Sequence, residues 1–94
     1  MILNTVNLKV YIGSSNNLLR RKREHFLLLR RNAHKNTYLQ NAFNKYEEKS
    51  FTFIILEKGI SLDELLEREI YHIVEKDSIN KNKGYNLCMP ELNG

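Results

Sequence analysis

The sequence has little cysteine, little proline and no long apolar run. Its 94 residues include one cysteine, one proline and no tryptophan, and no stretch approaches the ~20 apolar residues of a membrane span. Cys88 is alone, so it cannot form an intrachain disulfide, and with the three histidines it shows no spacing typical of a zinc site. The N-terminal stretch lacks the apolar core of a signal peptide. We therefore expect an intracellular globular protein without a membrane partner.

The composition is rich in Asn, Lys and Ile. This bias fits AT-rich coding, as in phage, bacterial or organellar genomes, and has no physical consequence for the fold.

The chain length suits one small domain, since no linker or internal repeat divides it. Runs of strand-forming residues predict three short strands, the first of them truncated, at 1–3, 8–12 and 51–57. Apolar residues at helical spacing predict three helices, at 18–31, 39–46 and 62–75. We therefore predict a single α+β domain over 1–94, with a small antiparallel sheet flanked by about three helices.

Two helix starts have recognisable signals. The stretch from Ser14 to Asn17 contains several residue types that cap helices. Ser61 and Glu64 have the spacing of a capping box, which predicts that the third helix begins at about Leu62.

Positive charge is concentrated in one segment. The net charge is +4, but residues 20–35 contain seven Lys/Arg and one acid, while residues 47–77 contain nine acids and four bases. Such a basic segment favours a polyanionic partner, with nucleic acid first. The alternative is a solvated helix face. The residues that we predict to contact DNA are Arg20, Lys22, Arg23, Arg30, Arg31 and Lys35.

An acidic residue interrupts the apolar stripe of the predicted third helix. At about 100° per residue, Glu69 falls between Leu65, Leu66 and Ile73. An unpaired buried carboxylate costs several kcal/mol, so Glu69 should meet a cation or water. A metal ligand, a structural salt bridge and a position at the rim of the core all remain open.

A second candidate pair lies on the first helix. Arg21 and His25 are neighbours at i, i+4 beside the apolar face. Together they could bind a phosphate, through guanidinium bonds and an imidazole donor. The alternative is that Arg21 simply belongs to the basic segment.

The ordered set of motifs resembles one family. The motifs are Y-I-G, R-x-x-x-H, H-x-N-x-x-L-Q-x-A-F-N-K-Y, F-x-F-x-I-L-E, L-x-x-x-E and G-Y-N, and they span residues 2–86. In this order they resemble the GIY-YIG nuclease domain, and most closely that of phage and intron-encoded homing endonucleases. Each motif is weak alone, whereas the ordered set is specific.

The resemblance implies hydrolytic cleavage of DNA with one divalent metal, normally Mg²⁺. It implies that Arg21 is the catalytic arginine and Glu69 the metal-binding glutamate. Tyr11 and Gly13 match the tyrosine and the glycine of the YIG half. The resemblance also implies that His25, His34 and Asn86 support this site. His25 is expected to lie close to the reacting atoms.

These roles agree with the chemistry of phosphodiester hydrolysis, which needs an activated water and a positive clamp on the phosphoryl oxygens. A lone Glu69 suits Mg²⁺, which keeps most of its waters and takes one or two carboxylates. Tyr11 could orient water, or deprotonate it if its pKa is lowered by its surroundings. Gly13 would let the substrate or the backbone approach closely.

One departure concerns the G-I-Y half of the family pattern, which precedes Y-I-G by about ten residues. Met1 falls just after the expected tyrosine. Either the true start lies upstream of Met1, or the domain has lost this tyrosine and part of its first strand. Three functions are therefore weighed. They are a DNA endonuclease, a catalytically impaired relative that acts as a basic DNA-binding module, and an interaction domain in which Glu69 is salt-bridged.

Overall fold

The computed structural model describes residues 1–90, so residues 91–94 of the predicted domain lie outside it. Within that range the strands are β1 (Ile2–Asn4), β2 (Val10–Tyr11) and β3 (Phe51–Phe53). The helices are α1 (Leu18–Arg30), α2 (Thr37–Tyr46) and α3 (Leu65–Lys76), and a 3₁₀ turn (Glu48–Ser50) precedes β3. The predicted α+β class is confirmed.

The sheet has the strand order β2-β1-β3, and both neighbouring pairs are antiparallel. Opposite Ile2 lie Tyr11 on β2 and Phe53 on β3. The outer edge of β2 is covered, because Val10 forms a parallel bridge to Gly84. The backbone of Val10 donates to the Lys83 carbonyl (3.2 Å) and accepts from the Tyr85 N–H (2.8 Å).

The sheet separates two apolar clusters. Side chains alternate along a strand, so Tyr11 and Ile12 point to opposite faces. Tyr11 packs on the cluster shared with α1 and α2, which consists of Ile2, Phe26, Leu29, Leu39, Phe43, Phe51 and Tyr85. Ile12 packs with Val10 and with Ile73 of α3. The end of β2 is therefore positioned between helices on both faces.

The capping prediction is confirmed at the start of α1 and is wrong at the start of α3. The Asn17 side chain accepts a hydrogen bond from the Arg20 N–H at 3.1 Å and caps α1, as predicted. The capping box at Ser61 and Glu64 is wrong, since α3 begins at Leu65 without a side-chain cap. The Glu64 N–H instead donates to the Ser61 carbonyl in a preceding turn (3.0 Å).

Two strands are shorter in the structure than the sequence predicts. The strand predicted at 51–57 ends at Phe53, and the one predicted at 8–12 is reduced to Val10–Tyr11. Leu8 has a left-handed backbone (φ 66°), which belongs to the turn between β1 and β2. No helix within residues 1–90 is long and apolar enough to cross a membrane.

The Gly-Tyr-Asn segment is held against the turn that follows α3. A Cβ on Gly84 would lie 2.3 Å from the carbonyl oxygen of Ser78 and 2.4 Å from its Cα. Tyr85 is buried, and its hydroxyl accepts hydrogen bonds from the side-chain amides of Asn4 (3.1 Å) and Asn7 (3.2 Å). Only glycine allows the chain to pass this close to the backbone of Ser78.

We predict that Gly84→Ala lowers the free energy of unfolding by about 1–3 kcal/mol or more, because a methyl group there must displace backbone. Gly13→Ala is the matched control. Its Cβ would meet Tyr11 and His25 at 3.7 and 4.0 Å, which is ordinary contact, so we expect its stability to be unchanged or slightly higher. Urea unfolding of both variants checks this, and equal stabilities would contradict it.

Candidate active site

A cavity of about 430 Å³ opens beside the end of β2, between α1, α3 and the segment after Gly84. The structure brings together at this cavity side chains from distant parts of the sequence, from Tyr11 to Pro90. Every residue predicted to be catalytic or supporting lines it, namely Tyr11, Gly13, Arg21, His25, His34, Glu69 and Asn86.

Asn86 fixes the backbone that carries Tyr11 and Gly13. Its side-chain oxygen accepts from the Ile12 N–H (2.8 Å), and its side-chain NH₂ donates to the Ile12 carbonyl (2.9 Å). The side chain thus replaces a strand partner for one residue at the end of β2. Asn86 thereby positions the backbone between Tyr11 and Gly13.

Tyr11 packs against two histidine rings on the α1 side of the sheet. Its ring meets His25 and His34 edge to face, with centroids 5.5 and 5.9 Å apart. Burial raises the pKa of Tyr11; Arg21 opposes this shift and Glu69 adds to it. The lowered pKa that would make Tyr11 a base is therefore not found, and its hydroxyl is protonated at neutral pH.

The two histidines form a buried pair whose tautomers are fixed by the backbone. The Asn36 N–H donates to Nδ1 of His34 (3.0 Å), so that nitrogen carries no proton in the neutral ring. Nε2 of His34 is then the donor in the 2.8 Å bond to Nδ1 of His25. His25 must carry its own proton on Nε2, which lies 4.0 Å from where a Cβ on Gly13 would be. His25 therefore presents a hydrogen-bond donor beside Gly13.

Sequence reasoning missed two residues that hold this pair in place. Gln40 is buried, accepts from the His34 N–H (3.0 Å) and donates to the Leu29 carbonyl (3.0 Å). Asn36 caps α2 at the Leu39 N–H (2.9 Å), and its side-chain NH₂ donates to the Tyr85 carbonyl (2.7 Å). Both lie in the H-x-N-x-x-L-Q motif, where buried polar residues at a helix start were the available signal.

Arg21 lies on the cavity wall in an exposed ion pair. Its guanidinium donates to Glu24 at 3.0 Å, and both side chains are 44% exposed. Exposed pairs of this kind contribute about 0–1 kcal/mol, so an anion in the cavity can replace Glu24 at low cost. The geometry is compatible with binding a phosphate.

Glu69 of α3 is half-buried and lines the same cavity. Its Oε1 accepts a hydrogen bond from the Ser14 hydroxyl (2.8 Å), and it forms no ion pair within residues 1–90. The salt-bridge alternative is therefore wrong for the described part of the chain, and Glu69 occupies a rim position facing the cavity. Sequence reasoning took Ser14 only as a capping residue, although its place directly after Gly13 put it beside the site.

A family model described as the GIY-YIG catalytic domain matches residues 1–86. This chain belongs to the GIY-YIG family. The resemblance inferred from the ordered motifs is thereby confirmed.

Similar proteins agree with this assignment. Intron-associated endonuclease 1 of Enterobacteria phage T4 is 37% identical over 87 residues, which cover 93% of this chain and 35% of that protein. The chain thus spans about a third of the length of this curated relative. A solved structure of the catalytic domain of homing endonuclease I-TevI has a TM-score of 0.82 at 38% identity, covering 93% of this chain and 92% of that one. A mutant of the catalytic domain of intron endonuclease I-TevI gives 0.85 at 35% identity, covering 96% and 91%.

The basic residues of this GIY-YIG domain are divided between two surfaces. Lys35 lies on the cavity wall, whereas Lys22, Arg23 and Arg30 line a groove on the other side of α1. Arg30 is engaged by Glu48 through two hydrogen bonds, of 2.8 and 2.7 Å. Arg20 lies 3.5 Å from Glu24, and Arg31 is exposed at the end of α1.

The histidine pair predicts a pH dependence of stability. Burial, and then the charges of Arg21 and His34, lower the pKa of His25 to about 4, and burial lowers the pKa of His34 as well. Between pH 6.5 and about 4 the unfolded chain binds protons that the folded pair does not. The contribution of this pair to stability is therefore fully present well above pH 6.5, and it falls with decreasing pH by up to about 1.4 kcal/mol per pH unit and proton.

Urea unfolding between pH 4.5 and 7 checks this dependence. His25→Asn should reduce the slope of stability against pH, since it removes one of the two titrating groups. A variant with the same slope as the parent would show that carboxylates alone produce the dependence.

Proposed function

We propose that this GIY-YIG domain is a metal-dependent DNA endonuclease that hydrolyses phosphodiester bonds, as a homing-endonuclease-like catalytic module. The observation that carries the proposal is that Arg21 and Glu69 line one cavity together with Tyr11 and His25. Its relatives, which are endonucleases by name, support the proposal. An intracellular location remains a prediction.

The donor set of the cavity fits Mg²⁺. Glu69 supplies one carboxylate, oriented by Ser14, and Mg²⁺ is commonly bound by one or two carboxylates with water in its other positions. Glu69 would hold the ion. When bound, Mg²⁺ stabilises negative charge on phosphoryl oxygens and makes a coordinated water more acidic.

Arg21 binds a non-bridging phosphoryl oxygen. Its guanidinium leaves the exposed pair with Glu24 and donates to the phosphate, whose negative charge grows during hydrolysis. Gly13 keeps the space between Tyr11 and His25 open, since a methyl group there would contact both rings. The scissile phosphate therefore has room in the cavity beside Gly13.

His25 and Tyr11 act as hydrogen-bond donors and not as resting bases. The Nε2–H of His25 donates to an oxygen of the phosphate or of the attacking water, and the His34 bond prevents the ring from turning. The protonated Tyr11 hydroxyl orients the water, because its raised pKa opposes proton abstraction. The buried histidine pair thus holds the water and the phosphate in a fixed geometry.

We expect Glu69→Gln to abolish nicking of supercoiled plasmid in Mg²⁺, a loss of at least ~10²-fold. The amide oxygen keeps the acceptor for Ser14, so only the charge is removed, and the melting temperature in EDTA should not fall. Glu67→Gln is the matched control on the exposed side of α3. A Glu69→Gln variant that nicks normally, or that melts far lower in EDTA, would sink the metal-ligand assignment.

Arg21→Ala is the companion variant, with an expected loss of ~10²–10³-fold in rate and little change in melting. If the parent protein retains DNA but never nicks it in Mg²⁺, the impaired DNA-binding module is the better description.

DNA binding should depend strongly on salt, since each phosphate contact contributes about −0.9 to the slope of log affinity against log salt on duplex DNA. Lys35→Gln should make the slope about 0.9 less negative, because Lys35 lies on the cavity wall. Arg30→Gln should change it little, because Arg30 lines the groove on the other side of α1 and not the cavity. Fluorescence anisotropy at several salt concentrations measures both, and a slope of zero for the parent would overturn the phosphate-contact assignment.

A further inference from the structure

An open groove of about 820 Å³ runs between α1 and β3, away from the active-site cavity. On α1, Arg21, His25 and Leu28 face the cavity, whereas the groove is lined by the other side of the helix. At about 100° per residue, the groove residues Arg23, Leu27 and Arg30 lie roughly opposite His25. A ligand in the groove therefore does not occupy the catalytic cavity.

The groove borders an unpaired edge of the sheet. Residues 50, 52 and 54 direct their backbone to β1, as shown by the Ile54 N–H bond to the Met1 carbonyl (2.8 Å) and the Thr5 N–H bond to the Ser50 carbonyl (2.7 Å). The backbone N–H and C=O groups of Phe51 and Phe53 consequently point away from β1, toward the free edge of the sheet. The Phe51 N–H donates a hydrogen bond to the Glu48 carbonyl. The Phe51 carbonyl and both backbone groups of Phe53 have no partner within residues 1–90.

The floor of the groove is apolar and its rim is basic. Phe26 and Phe51 are buried and present only part of their rings, while Leu27 is 44% exposed on the wall. Lys22 and Arg23 form no ion pair within residues 1–90, and the single acid of the lining, Glu48, is paired with Arg30 at 2.7 Å. The groove therefore carries a net positive charge.

We propose that this groove binds an extended acidic peptide segment, which adds to β3 as a fourth strand. Three unpaired backbone groups give such a segment directional hydrogen bonds, an apolar side chain contacts Leu27 and Phe53, and its acids meet Lys22 and Arg23. Nucleic acid would match the basic rim, but it matches the groove as a whole less well than a peptide does. The buried rings of Phe26 and Phe51 offer little surface for base stacking, and phosphates accept but do not donate hydrogen bonds.

The test uses a fluorescein-labelled heptapeptide, acetyl-Asp-Glu-Val-Leu-Val-Glu-Asp-amide, and the ¹⁵N-labelled protein. We expect saturable binding, shifts of the Thr52 and Phe53 amides, and exchange of the Phe53 amide hydrogen slowed at least ~10-fold. Methylating the peptide nitrogens that face β3 should weaken binding about tenfold, because one or two backbone hydrogen bonds are lost. This control leaves the protein unchanged, so it does not depend on a variant that folds.

Charge variants give a second comparison. Lys22→Glu with Arg23→Glu should weaken peptide binding at least ~10-fold, whereas Lys35→Glu, on the cavity wall, should not. Two results would overturn the proposal. One is peptide binding that leaves the Phe53 amide unprotected, and the other is displacement of the peptide from these amides by a 12-nucleotide single strand at lower concentration, which would make the groove a nucleic-acid site.

Discussion

The pair of hydrogen bonds between the Asn86 side chain and the backbone of Ile12 is the constraint on which the site depends. Strand β2 has only two residues, too few to hold its end by ladder bonds alone. Asn86 supplies both a donor and an acceptor to the residue between Tyr11 and Gly13. Since each buried hydrogen bond contributes about 1 kcal/mol, the pair is enough to hold one residue in place. Tyr11 then faces α1, while Ser14 reaches Glu69 of α3.

Asn86 can do this because the residues before it are fixed independently. Gly84 passes against the backbone of Ser78 at a distance that excludes any side chain, and Tyr85 is buried under the first turn by its hydroxyl bonds to Asn4 and Asn7. The G-Y-N motif is therefore a structural unit of three different constraints: close approach, burial and backbone capping. Its link to catalysis runs through β2, and only the last residue borders the cavity.

The sequence predicted the fold class, the three helices and the residues of the cavity, because these depend on periodicity and on an ordered set of motifs. It did not predict that Tyr11 has a raised pKa, since desolvation arises only when α1 and the segment that joins it to α2 pack against the ring. The start of α3 was misplaced for a related reason. Ser61 and Glu64 have the correct spacing for a capping box, but Leu62 is 70% exposed, so no packing supports a helical turn there. The roles of Ser14 and Gln40 depend on contacts between distant segments, which a single sequence does not reveal.

The histidine pair and the raised pKa of Tyr11 have the same cause, and together they restrict the mechanism. Burial favours the neutral form of each group, and the Arg21 charge adds to this effect at both histidines. A site of neutral donors beside one arginine and one carboxylate cannot begin hydrolysis from a strong resting base. In the mechanism that we propose, the negative charge that develops is instead stabilised by Arg21, by the Nε2–H of His25 and by the cation proposed at Glu69, so that positioned charge and fixed dipoles lower the barrier. Because the Asn36 backbone sets the His34 tautomer, the donor at His25 is built into the fold before any substrate binds.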